Sequence, residues 1–188
     1  PRRLRDTVVE SDPDGYPRLE EQLALIDCAM PEQELRTVAP TFLAYLKTGE
    51  ESGVRDRYLV TRRSPWYRQE QRAPAPFLCT YMGRGVGEKN PFRFIWNKSR
   101  AIAANVYLLL YPIGPMKGAL EQDPRLHAAV YDVFRAIPPE TLRGGGRVYG
   151  GALHKLEPSE LGQIDASGFA ALIPSRLQRP RQVALALG

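Results

Sequence analysis

Apolar residues in this chain recur with two different periods, and the change of period divides it. Leu19, Leu23 and Ile26 recur at helical spacing after Pro17. Glu20 and Glu21 stand in the first turn of that predicted helix, where the helix dipole favours acids. Pro31 ends it or opens the next. Pro40 sits at a first helical position before Phe42, Leu43 and Leu46, and Gly49 with its charged neighbours closes that helix. A short helix is expected from Val54 to about Thr61, with Arg and Tyr residues giving it one basic face. Pro65 breaks the pattern. Strand-like runs follow at Phe77 to Met82, Phe92 to Trp96 and Val106 to Tyr111. Leu126, Val130 and Phe134 return at a spacing of four, predicting a helix from Pro124 to about Ala136 that Ile137-Pro138-Pro139 stops. Arg143-Gly144-Gly145-Gly146-Arg147 reads as a flexible turn, Val148 to Leu156 as a strand, and Pro158 to Ile164 as a short helix. The expectation is an α+β fold: N-terminal helices, then a mixed or antiparallel sheet with flanking helices. Residues 1–16, with the turn signature Asp12-Pro13-Asp14-Gly15, read as an arm. Residues 17–173 read as the domain and 174–188 as a loose tail.

A chain of 188 residues with 43% hydrophobic residues fits one domain and buries a core without covalent staples. No run approaches the ~18 apolar residues of a membrane span. The most apolar stretch, Val106 to Tyr111, is fenced by Asn105 and Pro112. Cys28 and Cys79 lie in apolar surroundings and read as small core residues, which suits a reducing cytosol. The chain opens on Pro1, and no apolar segment follows Arg2, Arg3 and Arg5 to make a signal peptide. We expect it to be a piece of a larger, cytoplasmic protein.

Charge changes the picture when taken by segment. Residues 1–54 carry a net charge of −5, residues 55–100 carry +8 and residues 101–188 carry +2. The basic block also holds Trp66, Tyr67, Phe77, Tyr81, Phe92, Phe94 and Trp96. Cations interleaved with aromatic rings suit a polyanion, nucleic acid first, and equally a solvated basic face beside an acidic segment. Arg62-Arg63-Ser64-Pro65-Trp66-Tyr67 joins two cations, a rigid turn and two flat rings. That combination suits a phosphate and a stacked base, or else a core pair of rings beside solvated arginines.

No complete catalytic set is present in the sequence. There is no phosphate-binding Gly-x-x-x-x-Gly-Lys-Ser/Thr loop and no Gly-x-Ser-x-Gly elbow. Gly83, Gly85 and Gly87 alternate in the manner of a turn and do not make a dinucleotide fingerprint. The two histidines, His127 and His154, have no partner at metal-ligand spacing. None of the lysines at 47, 89, 98, 117 and 155 follows an Asp or Glu by two positions, the pattern of a common metal-dependent nuclease site.

An ordered set of motifs carries a resemblance. Arg63-Ser64-Pro65-Trp66-Tyr67 is followed by Tyr81-Met82-Gly83-Arg84 and then by Phe92-Arg93-Phe94-Ile95-Trp96-Asn97-Lys98-Ser99-Arg100-Ala101. Ala104-Asn105-Val106-Tyr107-Leu108 and Gly146-Arg147-Val148-Tyr149-Gly150-Gly151-Ala152-Leu153-His154-Lys155-Leu156-Glu157-Pro158 complete it. From about residue 17 to 165 the chain resembles the C-terminal target-recognition region of bacterial adenine-N6 DNA methyltransferases of the Taq type, from restriction–modification systems. The resemblance implies that the parent enzyme transfers a methyl group from S-adenosylmethionine to an adenine flipped out of duplex DNA. It implies that this chain reads double-stranded DNA, holds no cofactor itself, and partners a catalytic domain of the same polypeptide. The catalytic Asn-Pro-Pro-Tyr and cofactor motifs are absent. Asn90-Pro91-Phe92 lacks the second proline and reads as a turn. By the resemblance, DNA contact falls on Arg62, Arg63, Trp66, Tyr67 and Arg84. Asn97 and Asn105 match polar positions of the family, or are amides bracketing a turn. Arg147, His154 and Lys155 line the Gly-rich strand and face either phosphate or plain solvent.

Two other classes stay open at this point. One is a metal-dependent nuclease or hydrolase whose fold gathers Glu70, Asp132, Glu157 and His154. The other is a protein-interaction module of a restriction–modification complex, using the acidic residues 1–54.

Overall fold

The computed structural model describes residues 4, 7–20, 24–84 and 90–178. They form an α+β protein, as the periodicity predicts, in two compact units. Residues 20–73 make the smaller unit, and residues 1–19 with 74–188 make the larger one.

The larger unit begins with β1 (Val8–Val9), inside the expected arm, and the Asp12 turn follows it. Asp12 Oδ1 accepts the amides of Asp14 and Tyr16, at 3.0 and 2.8 Å. The smaller unit holds α1 (Glu32–Val38) and α2 (Pro40–Glu51). Pro31 opens α1 and Pro40 opens α2, where a missing N–H costs nothing. No helix forms among the described residues of 17–30. Of the residues at helical spacing, Leu19 packs into the larger unit, Ile26 is exposed and Leu23 lies outside the described residues; Cys28 and Met30 beyond them pack in the smaller unit. Residues 54–63 are successive turns rather than a helix, closed by Arg57 N–H to Val54 O and Val60 N–H to Arg57 O. Tyr58 and Leu59 are exposed, so no buried stripe sustains a helix there.

Back in the larger unit come β2 (Phe77–Thr80), β3 (Met82–Arg84), β4 (Phe94–Asn97) and β5 (Tyr107–Leu110). Helices α3 (Gly114–Gln122), α4 (Leu126–Ala136) and α5 (Pro139–Gly145) follow. Strands β6 (Arg147–Tyr149) and β7 (Leu153–Lys155) precede the short helices α6 (Pro158–Leu161), α7 (Ser167–Ala170) and α8 (Ser175–Gln178). Two expectations are corrected here. Residues 143–145 are the end of α5, anchored by the fully buried Leu142, rather than a flexible turn. The single strand expected over 148–156 is a hairpin, turned at Gly150-Gly151-Ala152 with φ of 72° at Gly151 and 54° at Ala152. Gly85 and Gly87, and residues 179–188 of the expected tail, lie outside the described residues.

The strands make two sheets. The first has the order β1-β4-β2-β5, with β1 parallel to β4 and the other pairs antiparallel. Its register sets Phe77 and Cys79 opposite Trp96 and Phe94 on one side and Leu110 and Leu108 on the other. Those residues share a face, and α4 packs over it: the Phe94 and Phe134 rings stack at 4.8 Å. The alternate residues Leu78, Ile95 and Leu109 point the other way, into a second cluster with Val9 and Ala75. Central strand β2 is therefore buried along its whole length. The second sheet has the order β3-β7-β6 and is antiparallel throughout. It is tied to the first by the Leu156 amide, which donates to Tyr81 O at 3.0 Å.

Candidate nucleic-acid interface

In the smaller unit, Leu35 of α1 and Leu46 of α2 close around Tyr67, with Trp66 and Phe42 packed against them. Tyr67 is 4% exposed, and its hydroxyl donates to the carbonyl of Met30. Burial raises its pKa above the ordinary tyrosine value, with Cys28 and Glu32 adding to the shift. Its ring meets those of Trp66 and Phe42 edge-on, at 5.6 and 6.0 Å. Trp66 lies across Gly49 of α2: a Cβ there would stand 3.0 Å from the indole. The helix therefore runs through Gly49 instead of closing at it. These two rings are core of the smaller unit, a few residues along the chain from Arg62 and Arg63. Arg62 is exposed, with its guanidinium 4.4 Å from the centre of the Tyr58 ring and a bond to the Tyr58 hydroxyl at 2.8 Å. Arg63 donates to Gln69 Oε1 at 3.1 Å. Among the described residues no carboxylate pairs with either arginine. Arg55, by contrast, is held by Glu50.

In the larger unit the register of the second sheet decides which side chains share a face. Met82 pairs with Lys155 and Lys155 with Arg147, while Arg84 pairs with Leu153 and Leu153 with Tyr149. Paired residues point the same way, and so do residues two apart along a strand. Arg84, Arg147, Lys155 and Tyr149 therefore project from one face. Arg84, Arg147 and Tyr149 are exposed, and Lys155 is half-buried. His154 belongs to the opposite face with Gly83 and Val148, so the expected line of Arg147, His154 and Lys155 is split between two faces. The Pro91 carbonyl lies on that opposite face, where a Cβ on Gly83 would stand 1.5 Å from it. Only glycine admits this approach. The Phe92 ring meets His154 edge-on at 6.5 Å, and His154 Nδ1 is buried without a partner. Asn90, just before, accepts the Phe92 amide at 3.0 Å, the turn that its sequence predicts.

Two acids from α6 and its N-terminal flank organise the basic face. Glu157 takes the Lys155 ammonium at 2.6 Å and the Tyr81 hydroxyl at 3.2 Å. The hydrogen bond from Lys155 lowers the Glu157 pKa, and its counterpart raises that of Lys155. Glu160 takes Arg147 Nε at 3.5 Å, and its other oxygen accepts the Glu157 amide at 2.7 Å. Arg84 has no acidic partner among the described residues. The sequence marked neither Tyr149 nor Glu160 for this site. The hairpin register that places them comes from pairing across the sheet, which local pattern does not encode.

The two asparagines divide. Asn97 is 5% exposed and fully bonded. Its Nδ2 donates to the carbonyls of Ala75 and Ala101 at 3.0 and 2.9 Å, and its Oδ1 accepts from the Ser99 amide and hydroxyl. This is the turn-bracketing amide of the two roles expected for it. Asn105 is exposed in the turn before β5.

The remaining acid candidates lie in different settings. Asp132 pairs with Arg135 on α4, and Glu70 pairs with Arg72 in the smaller unit. Among the described residues no three His, Cys, Asp or Glu side chains gather as metal ligands. No described helix is long and apolar enough to cross a membrane.

Comparison with known proteins gives these sites a family. Residues 10–181 match the family of the C-terminal domain of type II methyltransferase M.Eco57I. The chain belongs to this family. This methyltransferase C-terminal domain is 29% identical over 133 residues to type II methyltransferase M.XamI of Xanthomonas campestris pv. amaranthicola, covering 71% of this chain and 22% of the relative. It is 26% identical over 118 residues to type II methyltransferase M.AccI of Acinetobacter calcoaceticus, covering 63% and 20%. The domain thus spans about a fifth of the length of the curated relatives it matches. No solved structure matches it. Adenosyl cofactors sit where a Gly-rich turn joins a strand to a helix N-terminus. The described strand-to-helix joints of this domain, Tyr111-Pro112-Ile113 and Leu156-Glu157, do not fit such a group.

Proposed function

We propose that this domain recognises duplex DNA for a site-specific adenine-N6 methyltransferase of a restriction–modification system. The one observation that carries the reading is the sheet register that collects Arg84, Arg147 and Lys155, with Tyr149, on a single face. Cations and an exposed ring on a rigid strand surface suit phosphates and base edges. Arg62 and Arg63 of the smaller unit supply further phosphate contacts, and Asn105 is an exposed polar side chain available to either. Trp66 and Tyr67 act as core of the smaller unit rather than by touching DNA, and Tyr58 and Gln69 orient Arg62 and Arg63. His154 supports the basic face from behind. The parent enzyme takes S-adenosylmethionine in a catalytic domain of the same polypeptide, in the cytoplasm, and methylates an adenine turned out of the helix. This chain supplies no reacting group. It grips the duplex so that one adenine is presented and water-exposed alternatives are not.

The test is binding of the chain to duplex DNA over a range of salt concentrations. Affinity should fall steeply as salt rises, because each phosphate neutralised releases counterion. Replacing Arg62 and Arg63 together by alanine should flatten that slope by about 2. Binding that ignores salt, or a double variant indistinguishable from wild type, would refute the assignment of those contacts.

A further inference from the structure

The basic face of the second sheet is not uniform in charge, and the difference assigns roles. Resting on the DNA-recognition reading above, we infer that Arg147, backed by Glu160, is a specificity-determining residue that reads a guanine in the major groove, while Arg84, without an acidic partner among the described residues, holds phosphate. Arg147 opens β6, which pairs with β7 on one side only, and all three residues of β6 are exposed. The β6–β7 hairpin at the open edge of this sheet is two strands wide, and a two-stranded β-ribbon is one of the two elements that the major groove admits.

The contact with Glu160 engages Nε, at the stem of the guanidinium, at 3.5 Å. Among the described residues nothing bonds its two terminal nitrogens. They form the outer edge of a planar fork, the shape that meets guanine O6 and N7 together. Glu160 is itself fixed. Its side chain is only 18% exposed against 68% for Arg147, and its second oxygen is bound to the Glu157 amide. The carboxylate thus backs the stem of the guanidinium and leaves its fork facing outward.

Charge separates a base from a phosphate as its target. Glu160 offsets the charge of Arg147, which weakens its pull on a phosphate. The hydrogen bonds to a guanine edge depend on donor direction and survive that offset. Arg84 has no acidic partner among the described residues, and its charge serves the backbone. Lys155 adds charge to the face but is held back from a base edge: its ammonium is bound to Glu157 and lies 4.9 Å from the centre of the Tyr81 ring.

The experiment is selection of duplexes from a randomised pool by the full chain, followed by sequencing of those retained. Wild type should retain a motif with at least one strict guanine. Arg147→Ala should flatten that one position and lower affinity for the best site about 10- to 100-fold. Binding to random duplex and the salt slope should stay near wild type. Arg147→Lys keeps the charge but loses the fork, and should flatten the same position. Glu160→Gln should weaken preference at that position while tightening binding to random duplex. Arg84→Ala should weaken all sites alike and reduce the slope by about 1. If Arg147→Ala leaves every position of the motif intact, or weakens all duplexes evenly with a lower slope, the base-reading role is wrong while DNA recognition stands. If wild type retains no motif, both readings fall together.

Discussion

The two sheets of the larger unit have strands of similar length and opposite exposure. In the first, Cys79 and Ile95 are fully buried and β2 is covered on both faces. In the second, every residue of β6 is exposed and the strands carry Arg84, Arg147, Lys155 and Tyr149 outward. The difference teaches what each sheet does. A strand buried on both faces contributes position and stability, and has no surface left for a ligand. A strand hung from that core at Tyr81 and Leu156 is free to spend its side chains on recognition, because it does not have to bury them. Substitutions should therefore separate cleanly into those that unfold the protein and those that change only what it binds.

The largest expected effect is in the first sheet. Phe77 is 2% exposed and packs between β4, β5 and α4. Phe77→Ala should cost about 3–5 kcal/mol through lost burial and the cavity left behind. Tyr149→Ala, on the exposed strand, should cost no more than about 0.5 kcal/mol. Urea denaturation of the two variants measures both. Comparable losses would show that the second sheet is as much core as the first.

Next in size is the seam where the exposed sheet meets its backing. Gly83→Ala drives a methyl group onto the Pro91 carbonyl and should cost about 1–3 kcal/mol or more. Gly150→Ala, at the hairpin turn with nothing within 4 Å of its Cβ position, should be tolerated. The pair of melting temperatures reads the contrast directly. Equal tolerance would mean that the 90–93 segment yields easily and does not brace the basic face.

Asn97→Ala comes third. It removes both donors that satisfy Ala75 O and Ala101 O, and the acceptor of Ser99. The loss should be about 1–3 kcal/mol, with DNA affinity of the folded variant unchanged. A variant that folds normally but binds less tightly would return Asn97 to the list of DNA contacts.

The parts of this protein legible in its sequence are those decided by neighbours in the chain. Pro40 marked the start of α2, and the spacing of Leu126, Val130 and Phe134 marked α4. The strand expected over Phe77 to Met82 is β2 as far as Thr80; at Tyr81 the chain leaves the first sheet, and Met82 starts β3 of the second. Helix α3 carries no clear sequence signal: Gly114 and Gly118 lower its helix propensity, while Pro115 sits in its first turn and Ala119 and Leu120 are buried. The segment 17–30 misled because its periodicity is not a buried stripe: Leu19 packs against the core of the larger unit, while Ile26 is exposed. At the site, composition found the cations, but not which of them share a face. The split of His154 from Arg147 and Lys155 depends on cross-strand register. So does the meeting of Arg147 with Glu160, which also needs α6 to carry its acid to the edge of the sheet.

The smallest effect expected is a dependence on pH confined to the exposed sheet. The folded state lowers the Glu157 pKa, chiefly through the hydrogen bond from Lys155. Its contribution to stability is therefore complete above the ordinary glutamate range and is lost as pH falls through the lower, folded-state value. The raised Lys155 pKa gives the opposite limb: its contribution is complete below the ordinary lysine range and is lost as pH rises through the folded-state value. Between those limits the pair contributes steadily. In Glu157→Gln the acid limb disappears, so the difference in melting temperature from wild type should be constant through neutral pH and close in acid. Within the four strands of the first sheet no acid pairs with a base, and its Lys98–Glu10 ion pair lies just past the ends of β4 and β1. Its Cys79 thiol is pushed up to about 12 by burial and keeps its proton far above the ordinary thiol range. A difference between wild type and Glu157→Gln that is flat down to strong acid would mean that Glu157 acts through packing alone. The exposed sheet would then be held by the same forces as the buried one.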